Sequence, residues 1–295
     1  MQNAIFEVYD ERFYQFVGYS GTLQELYDKA VWAEGPAWFP EQQRLIFSDV
    51  KANKMYCWEL EKGISIFRDM SHFANGNTVN QYGELVTCEH GRRGISHTDK
   101  EGNVRLLVDR IENKRLNSPN DVVVKSDGTI WFTDPPYGIL TNEEGYQSSS
   151  EIIGCYVYCF DPICNEITIA TFNTMRPNGL AFSPDESQLF VADMSRVEFE
   201  QQGLHHLVVF DVEGKKLHNR RTVAEITPGI PDGFCIDKQG VIYCSCATGI
   251  IVLLPDGTKL GRILLNKTTS NCTFGNDEKT LFITASNSLY KLTIL

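Results

Sequence analysis

One unit recurs six times along the chain, and no other feature restricts the fold as tightly. Each copy has a polar residue, an apolar-alternating run, a short Gly, Asp or Pro turn, and a second β-rich run ending in a small or acidic residue. The copies begin at Glu34 (EGPAWFPEQQRLIFSDV), near Asn75 (NGNTVNQYGELVTCEH), at Asn120 (NDVVVKSDGTIWFTD), at Asn178 (NGLAFSPDESQLFVAD), at Asp232 (DGFCIDKQGVIYCSC) and at Asn271 (NCTFGNDEKTLFITAS). The second runs end at Ser48, Thr87, Thr133, Ala192, Cys244 and Thr284, spaced by 39, 46, 59, 52 and 40 residues. A hairpin period of that size is the mark of propeller blades, and its β-branched and aromatic content favours strands. The expected fold is all-β, a six-bladed β-propeller with four-stranded antiparallel blades around a central channel.

Outer hairpins are visible between the copies, as in Met55–Leu60 with Ile64–Arg68 and Tyr156–Asp161 with Ile167–Phe172. No Pro/Ser/Gly-rich tract divides the chain, so residues 1–295 read as a single domain with residues 1–30 as an N-terminal closing segment. The first 20 or so residues are expected to supply a strand that closes the ring, since closure removes exposed sheet edges. Thr22–Ala30 (TLQELYDKA) is the one helix candidate. The Gly/Ser/Glu-rich stretch Tyr137–Ser150 reads as a surface loop near the site or a disordered rim.

In a propeller the first strand of each blade lines the channel, so the six polar starts form one ring: Glu34, Asn75 or Asn77, Asn120, Asn178, Asp232 and Asn271. Two carboxylates converging in a closed channel repel and carry a desolvation penalty unless a cation compensates them. Oxygen donors without Cys or His favour hard ions: Ca2+ first, then Mg2+ or Mn2+, with Zn2+ last. Two carboxylates and two amide oxygens leave positions open for water and a reactant. Second-run ends share the rim and bring Asp49, His90, Asp134 and Asp193 near the mouth. His90 has the pKa for proton transfer. Adjacent His205 and His206 on a strand would face opposite sides, which argues against joint metal ligation there.

Charge and composition remove other classes. The formal net charge is −11, against nucleic-acid surfaces and anionic membranes. No run approaches the length of a membrane span and the start lacks a signal-peptide pattern, so the cytoplasm is the expected location. Nine irregularly spaced cysteines suggest reduced, packed thiols. No G-x-S-x-G elbow, phosphate loop or dinucleotide fingerprint occurs.

Several runs together resemble the gluconolactonase branch of the family that includes senescence marker protein 30 (regucalcin) and related lactonases. They are Ala33-Glu34-Gly35-Pro36 with Trp38, Cys88-Glu89-His90-Gly91, Arg115 to Val122, Phe132 to Gly138, Arg176 to Asp185, Pro231-Asp232-Gly233 and Leu281 to Ala285. The resemblance implies one catalytic divalent ion held by Glu34, Asn178 and Asp232, with Asp232 as general base and Asn120 contacting ion or substrate. Where regucalcin-like members carry a substrate-holding Arg, this chain has Ser118. Asn75, His90 and Asp134 complete the expected substrate contacts. The expected activity is hydrolysis of a small sugar-derived lactone. Other lactones or phosphotriesters at the same ion, and a non-enzymatic calcium-binding propeller, are the alternatives. No oligomeric state is implied.

Overall fold

A computed structural model describes residues 1–294. Six antiparallel sheets of four or five strands follow one another around a central axis, which is the expected six-bladed propeller. Blade 1 comprises Ala33–Phe39, Arg44–Asp49, Lys54–Glu59 and Gly63–Asp69, and blade 2 comprises Ala74–Val79, Leu85–Glu89, Gly94–Thr98 and Val104–Val108. Blade 3 is Val122–Val124, Ile130–Thr133, Val157–Asp161 and Glu166–Thr171. Blade 4 is Pro177–Phe182, Gln188–Asp193, His206–Glu213 and Lys216–Glu225. Blade 5 runs Phe234–Ile236, Ile242–Cys246, Gly249–Leu253 and Lys259–Leu264.

Blade 6 is built from both ends of the chain. Thr269–Phe274, Thr280–Ala285 and Ser288–Ile294 pair in order, and Gly21–Tyr27 adds the fourth strand in register from Ile294↔Gly21 to Leu289↔Tyr27. This segment overlaps the expected Thr22–Ala30 helix over residues 22–27 and corrects it. Leu23 and Leu26 fit a helical spacing, but Gly21 and Leu23 alternate with outward Thr22 and Gln24 once a free edge is available. Edge pairing overrides a weak helix preference. The earlier strand Ile5–Val8 extends blade 5 instead, and Gln2–Asn3 pairs outside Gly21–Tyr27.

The core lies between blades. Leu45, Phe47 and Trp58 of blade 1 pack on Phe282 and Leu289 of blade 6, and the Trp38 ring stacks on Phe282 at 5.2 Å. Trp131 and Cys159 of blade 3 pack on Leu180, Leu189, Val191 and Phe210 of blade 4. Such aromatic layers hold neighbouring blades at a fixed angle, which fixes the channel between them. Cys244 and Cys246 are packed in the core between blades 4 and 5. Among the described residues, no helix is long and apolar enough to cross a membrane.

Candidate metal centre and active site

The inner strands of blades 1, 2, 4 and 6 each carry a bulge near their start, between Glu34/Ala37, Ala74/Asn77, Pro177/Leu180 and Thr269/Asn271. An extra residue there turns the side chain at the strand entrance toward the axis. Glu34, Asn75, Asn120, Asn178 and Asp232 take equivalent positions. In blade 6 the equivalent residue is Ser270, because Thr269 pairs with Ala285 as Ala33 pairs with Asp49. Asn271 therefore sits one level deeper, a one-residue correction to the expected ring. Asn77 also leaves the ring: its amide donates to the Gly35 and Asn75 carbonyls and Ser48 Oγ, and accepts from Thr87.

Neighbouring blades touch backbone to backbone just below this ring. Gly76 N donates to the Asn120 carbonyl (2.8 Å), Gly179 N to the Asp232 carbonyl (3.2 Å) and Gly233 N to the Ser270 carbonyl (2.6 Å). Thr133 Oγ1 donates to the Asn178 carbonyl and Ser270 Oγ to the Ala33 carbonyl, both at 2.7 Å. A Cβ on Gly179 would stand 2.4 Å from the Asp232 carbonyl oxygen, and one on Gly76 2.6 Å from that of Asn120. Glycine is required by this approach. Four of the six repeats indeed read polar residue then glycine.

Glu34 and Asp232, from blades 1 and 5, are brought together in the channel. Burial first, then the charge of Asp232, drives the Glu34 carboxyl well above its usual range, although Gly35 N donates to Oε2 at 2.9 Å. Asp232 is raised by burial and by the charges of Asp121 and Glu144, and is partly offset by a hydrogen bond from Asn178. Asn178 Nδ2 also donates to Met194 Sδ at 2.7 Å, which commits its amide hydrogens and leaves the carbonyl oxygen for a ligand. Below the ring, burial pushes Asp121 up to about 7 while Asn271 Nδ2 approaches it at 3.4 Å. This level opens to the lower mouth, lined by Pro36, Asn77, Asp121, Phe182 and Asn271.

Three mutually repelling carboxylates with converging amides fit a divalent cation, and the all-oxygen donor set fits a hard one. Glu34, Asn178 and Asp232 come from three separate blades and could hold it together.

The segment Tyr137–Ser150 crosses the upper mouth as an ordered lid, the surface-loop alternative of the sequence reading. It starts with the helical turn Tyr137–Leu140, whose Gly138 is seated against His90 and Ser118. Lys51 of blade 1 pairs with Glu143 (3.2 Å) and Glu144 (3.5 Å), and Tyr146 meets Phe73 edge-on at 5.3 Å. His90 is fully buried beneath it. Its Nδ1 donates to the Glu144 carbonyl (2.9 Å), so Nε2 accepts from Asn75 Nδ2 (3.1 Å). Burial lowers His90 to about 4. It is thus neutral, and it orients Asn75 and the lid; the expected proton-transfer capacity is not what this geometry provides.

Asp134 also departs from expectation. It is completely buried, accepts from Asn117 N at 2.8 Å and from the Ser118 amide, and burial raises it to about 7. Asp49 takes Val31 N and Trp32 N in the same way, and Asp193 takes Met175 N and Ser195 N. These aspartates fasten the chain two to three residues ahead of Glu34, Asn120 and Asn178. They face backbone and not a substrate.

Sequence reasoning missed three groups. Asp121 follows Asn120 where other repeats have glycine, a signal that was present. Glu144 and Tyr137 lie on the lid, where no periodicity reaches. The Tyr137 hydroxyl is buried without a protein partner among the described residues and feels the charges of Glu198, Asp232 and Arg176.

Known proteins share this arrangement of blades. The SMP-30/Gluconolactonase/LRE-like region matches residues 32–287. A gluconolactonase of Zymomonas mobilis subsp. mobilis is 33% identical over 286 residues, 88% of this chain and 78% of that one. The structure of a Xanthomonas campestris gluconolactonase superposes with a TM-score of 0.93 at 37% identity, covering 100% of this chain and 96% of the other. A pentonolactonase of Haloferax volcanii is 25% identical over 264 residues, covering 86% and 81% of the two chains. With most of its length matched and its blades superposable, this chain belongs to the SMP-30/gluconolactonase/LRE-like family.

Proposed function

We propose that the protein is a divalent-cation-dependent lactonase acting on a sugar-derived lactone, with Glu34, Asn178 and Asp232 as the cation's protein ligands. The observation that carries this reading is the meeting of Glu34 and Asp232 beside the Asn178 amide, from blades far apart in sequence, in a channel whose carboxylates raise one another's proton affinity. The gluconolactonase and pentonolactonase relatives support the lactone as substrate class. Ca2+ is the ion that the donor chemistry favours. When bound, such a cation supplies Lewis-acid polarisation of the lactone carbonyl.

The chain's own groups account for the remaining work. Asp232 takes a proton from the attacking water at a carboxylate oxygen, and burial beside Asp121 and Glu144 makes it a stronger base than a solvated aspartate. The water oxygen bonds to the carbonyl carbon, the ring C–O bond breaks, and the departing alkoxide takes back the proton held on the Asp232 carboxyl, giving one hydroxy acid per lactone and water and restoring the carboxylate. Asn120 and Asn75 present amides to the sugar's oxygens, with Asn75 oriented by His90. The lid excludes bulk water from the mouth. Turnover of gluconolactone by metal-replete and chelated protein, with cation analysis, tests the reading. Full activity of Asp232→Ala would overturn it.

A further inference from the structure

A second cluster lies outside the channel, on the upper edge of blade 4. His205 precedes the third strand, His206 opens it, and Glu225 closes the fourth strand directly opposite His206. Strand alternation would send the two imidazoles to opposite faces. The chain enters the strand only at His206, however, and the ladder shifts register between Leu207 and Val208. The rings instead stack, with centroids 5.7 Å apart and 25° between their planes. One nitrogen from each histidine and one Glu225 oxygen all lie within 4.8 Å of one another. This corrects the expectation that the pair could not act together.

His205 is buried, and its Nδ1 donates to the Ile226 carbonyl at 3.0 Å. With Nδ1 donating there, and the Arg196 guanidinium at Nε2 able only to donate, Nε2 presents a lone pair, the arrangement by which ligating histidines are oriented. Nε2 faces Glu225 Oε1 at 2.5 Å and the Arg196 guanidinium at 2.6 Å. Two acceptors so close require a positive charge beside them. Arg196, exposed on the loop that starts at Ser195, supplies it.

We propose that His205, His206 and Glu225 form a transition-metal site of the Zn2+ class, for which the Arg196 guanidinium is the stand-in cation in the metal-free protein. Two imidazole nitrogens and one carboxylate suit Zn2+ and disfavour Ca2+, and three protein ligands leave a fourth position for water. Metal entry displaces Arg196 outward. The same loop carries Glu198 and Phe199, which clamp Arg176 through a 2.6 Å ion pair and a 5.0 Å cation–π contact, so displacing Arg196 loosens the foot of this clamp.

The test is calorimetric titration of Ca2+-saturated protein with Zn2+, so that the all-oxygen channel donors are already engaged. The expected result is one further equivalent of Zn2+ that excess Ca2+ does not displace. His206→Ala and Glu225→Gln should each weaken it by at least about tenfold. Arg196→Met should tighten it, because the competing guanidinium is gone. Glu225 and Arg196 are exposed, so those two variants keep the test valid if His206→Ala unfolds. No additional equivalent, binding that is indifferent to Glu225→Gln (an adventitious ion only), or weaker binding in Arg196→Met would each overturn the proposal.

Discussion

Asp232 and Asp134 are aspartates of the same repeat architecture with opposite surroundings. Asp134 is embraced by the backbone amides of Asn117 and Ser118, whereas Asp232 meets one side-chain amide and the charges of other carboxylates. Both have raised proton affinity through burial. What separates them is whether fixed N–H groups answer the charge. Where they do, the carboxylate fastens a loop. Where they do not, the charge is left unanswered, which is the condition the proposed cation would relieve. Asp49 and Asp193 stand with Asp134, each taking two backbone amides, whereas Glu34 has the single Gly35 N–H against its burial and the charge of Asp232.

The sharpest way to break this comparison is a matched pair of variants. Asp232→Asn is expected to lower lactone turnover by about 10³-fold, within the range for a lost general base, with the cation-free folding midpoint unchanged or raised. Asp134→Asn is expected to keep turnover within about tenfold while losing about 2 kcal/mol, since charged hydrogen bonds to Asn117 and Ser118 are weakened. Turnover assays beside urea unfolding check both. A large loss of turnover in Asp134→Asn at unchanged stability would erase the distinction.

Cation linkage comes next in size. The channel carboxylates have folded pKa values raised above their unfolded ones, so cation-free protein loses stability as pH rises through that raised range. A cation removes this penalty, and protons compete for its ligands. Ca2+ held at one concentration, about 100 times its Kd at pH 8, should add about 2.7 kcal/mol there and less at pH 5, where its Kd is weaker, visible as a Tm increase that is larger at pH 8. An equal increase at both pH values would show that the cation binds elsewhere.

Gly179→Ala probes the ring that aims these groups. Its methyl would meet the Asp232 carbonyl, and a cost of about 1–3 kcal/mol by denaturant unfolding is expected. His90 comes last, with an effect confined to acid pH. Held neutral to about pH 4 in the folded protein, it leaves the unfolded chain to take the proton first, so stability falls as pH drops from about 6.5 toward 4. His90→Gln should flatten that acid slope by up to about 1.4 kcal/mol per pH unit, and should leave the pH profile of kcat/KM between pH 5.5 and 8 unshifted.

The blades were readable because each hairpin repeats its own pattern, and Glu34, Asn75, Asn120, Asn178 and Asp232 were readable as ring positions because they occupy one phase of it, while the choice of Glu34, Asn178 and Asp232 as ligands came from the family resemblance alone. Asn271 misled by one residue because a polar residue at a strand entrance looks alike whether it precedes or follows the bulge. Gly21–Tyr27 misled because its partner, Ser288–Ile294, lies at the far end of the chain, beyond any local pattern. His90 and Asp134 were located correctly near the upper face, but whether a polar group meets solvent or a backbone amide depends on loops without periodicity. The lid residues Tyr137 and Glu144 were silent for the same reason.

The strand Gly21–Tyr27 waits for its place until Ser288–Ile294 has emerged, about 260 residues later, and the contact order of blade 6 is correspondingly high. During synthesis, blades 1 to 5 can assemble as an open arc, with Glu34 at one end and Asp232 at the other. Only docking of the final hairpin brings these two ends of the arc face to face. Cation uptake by a refolding chain would therefore follow the slowest topological event and serve as a clock for ring closure.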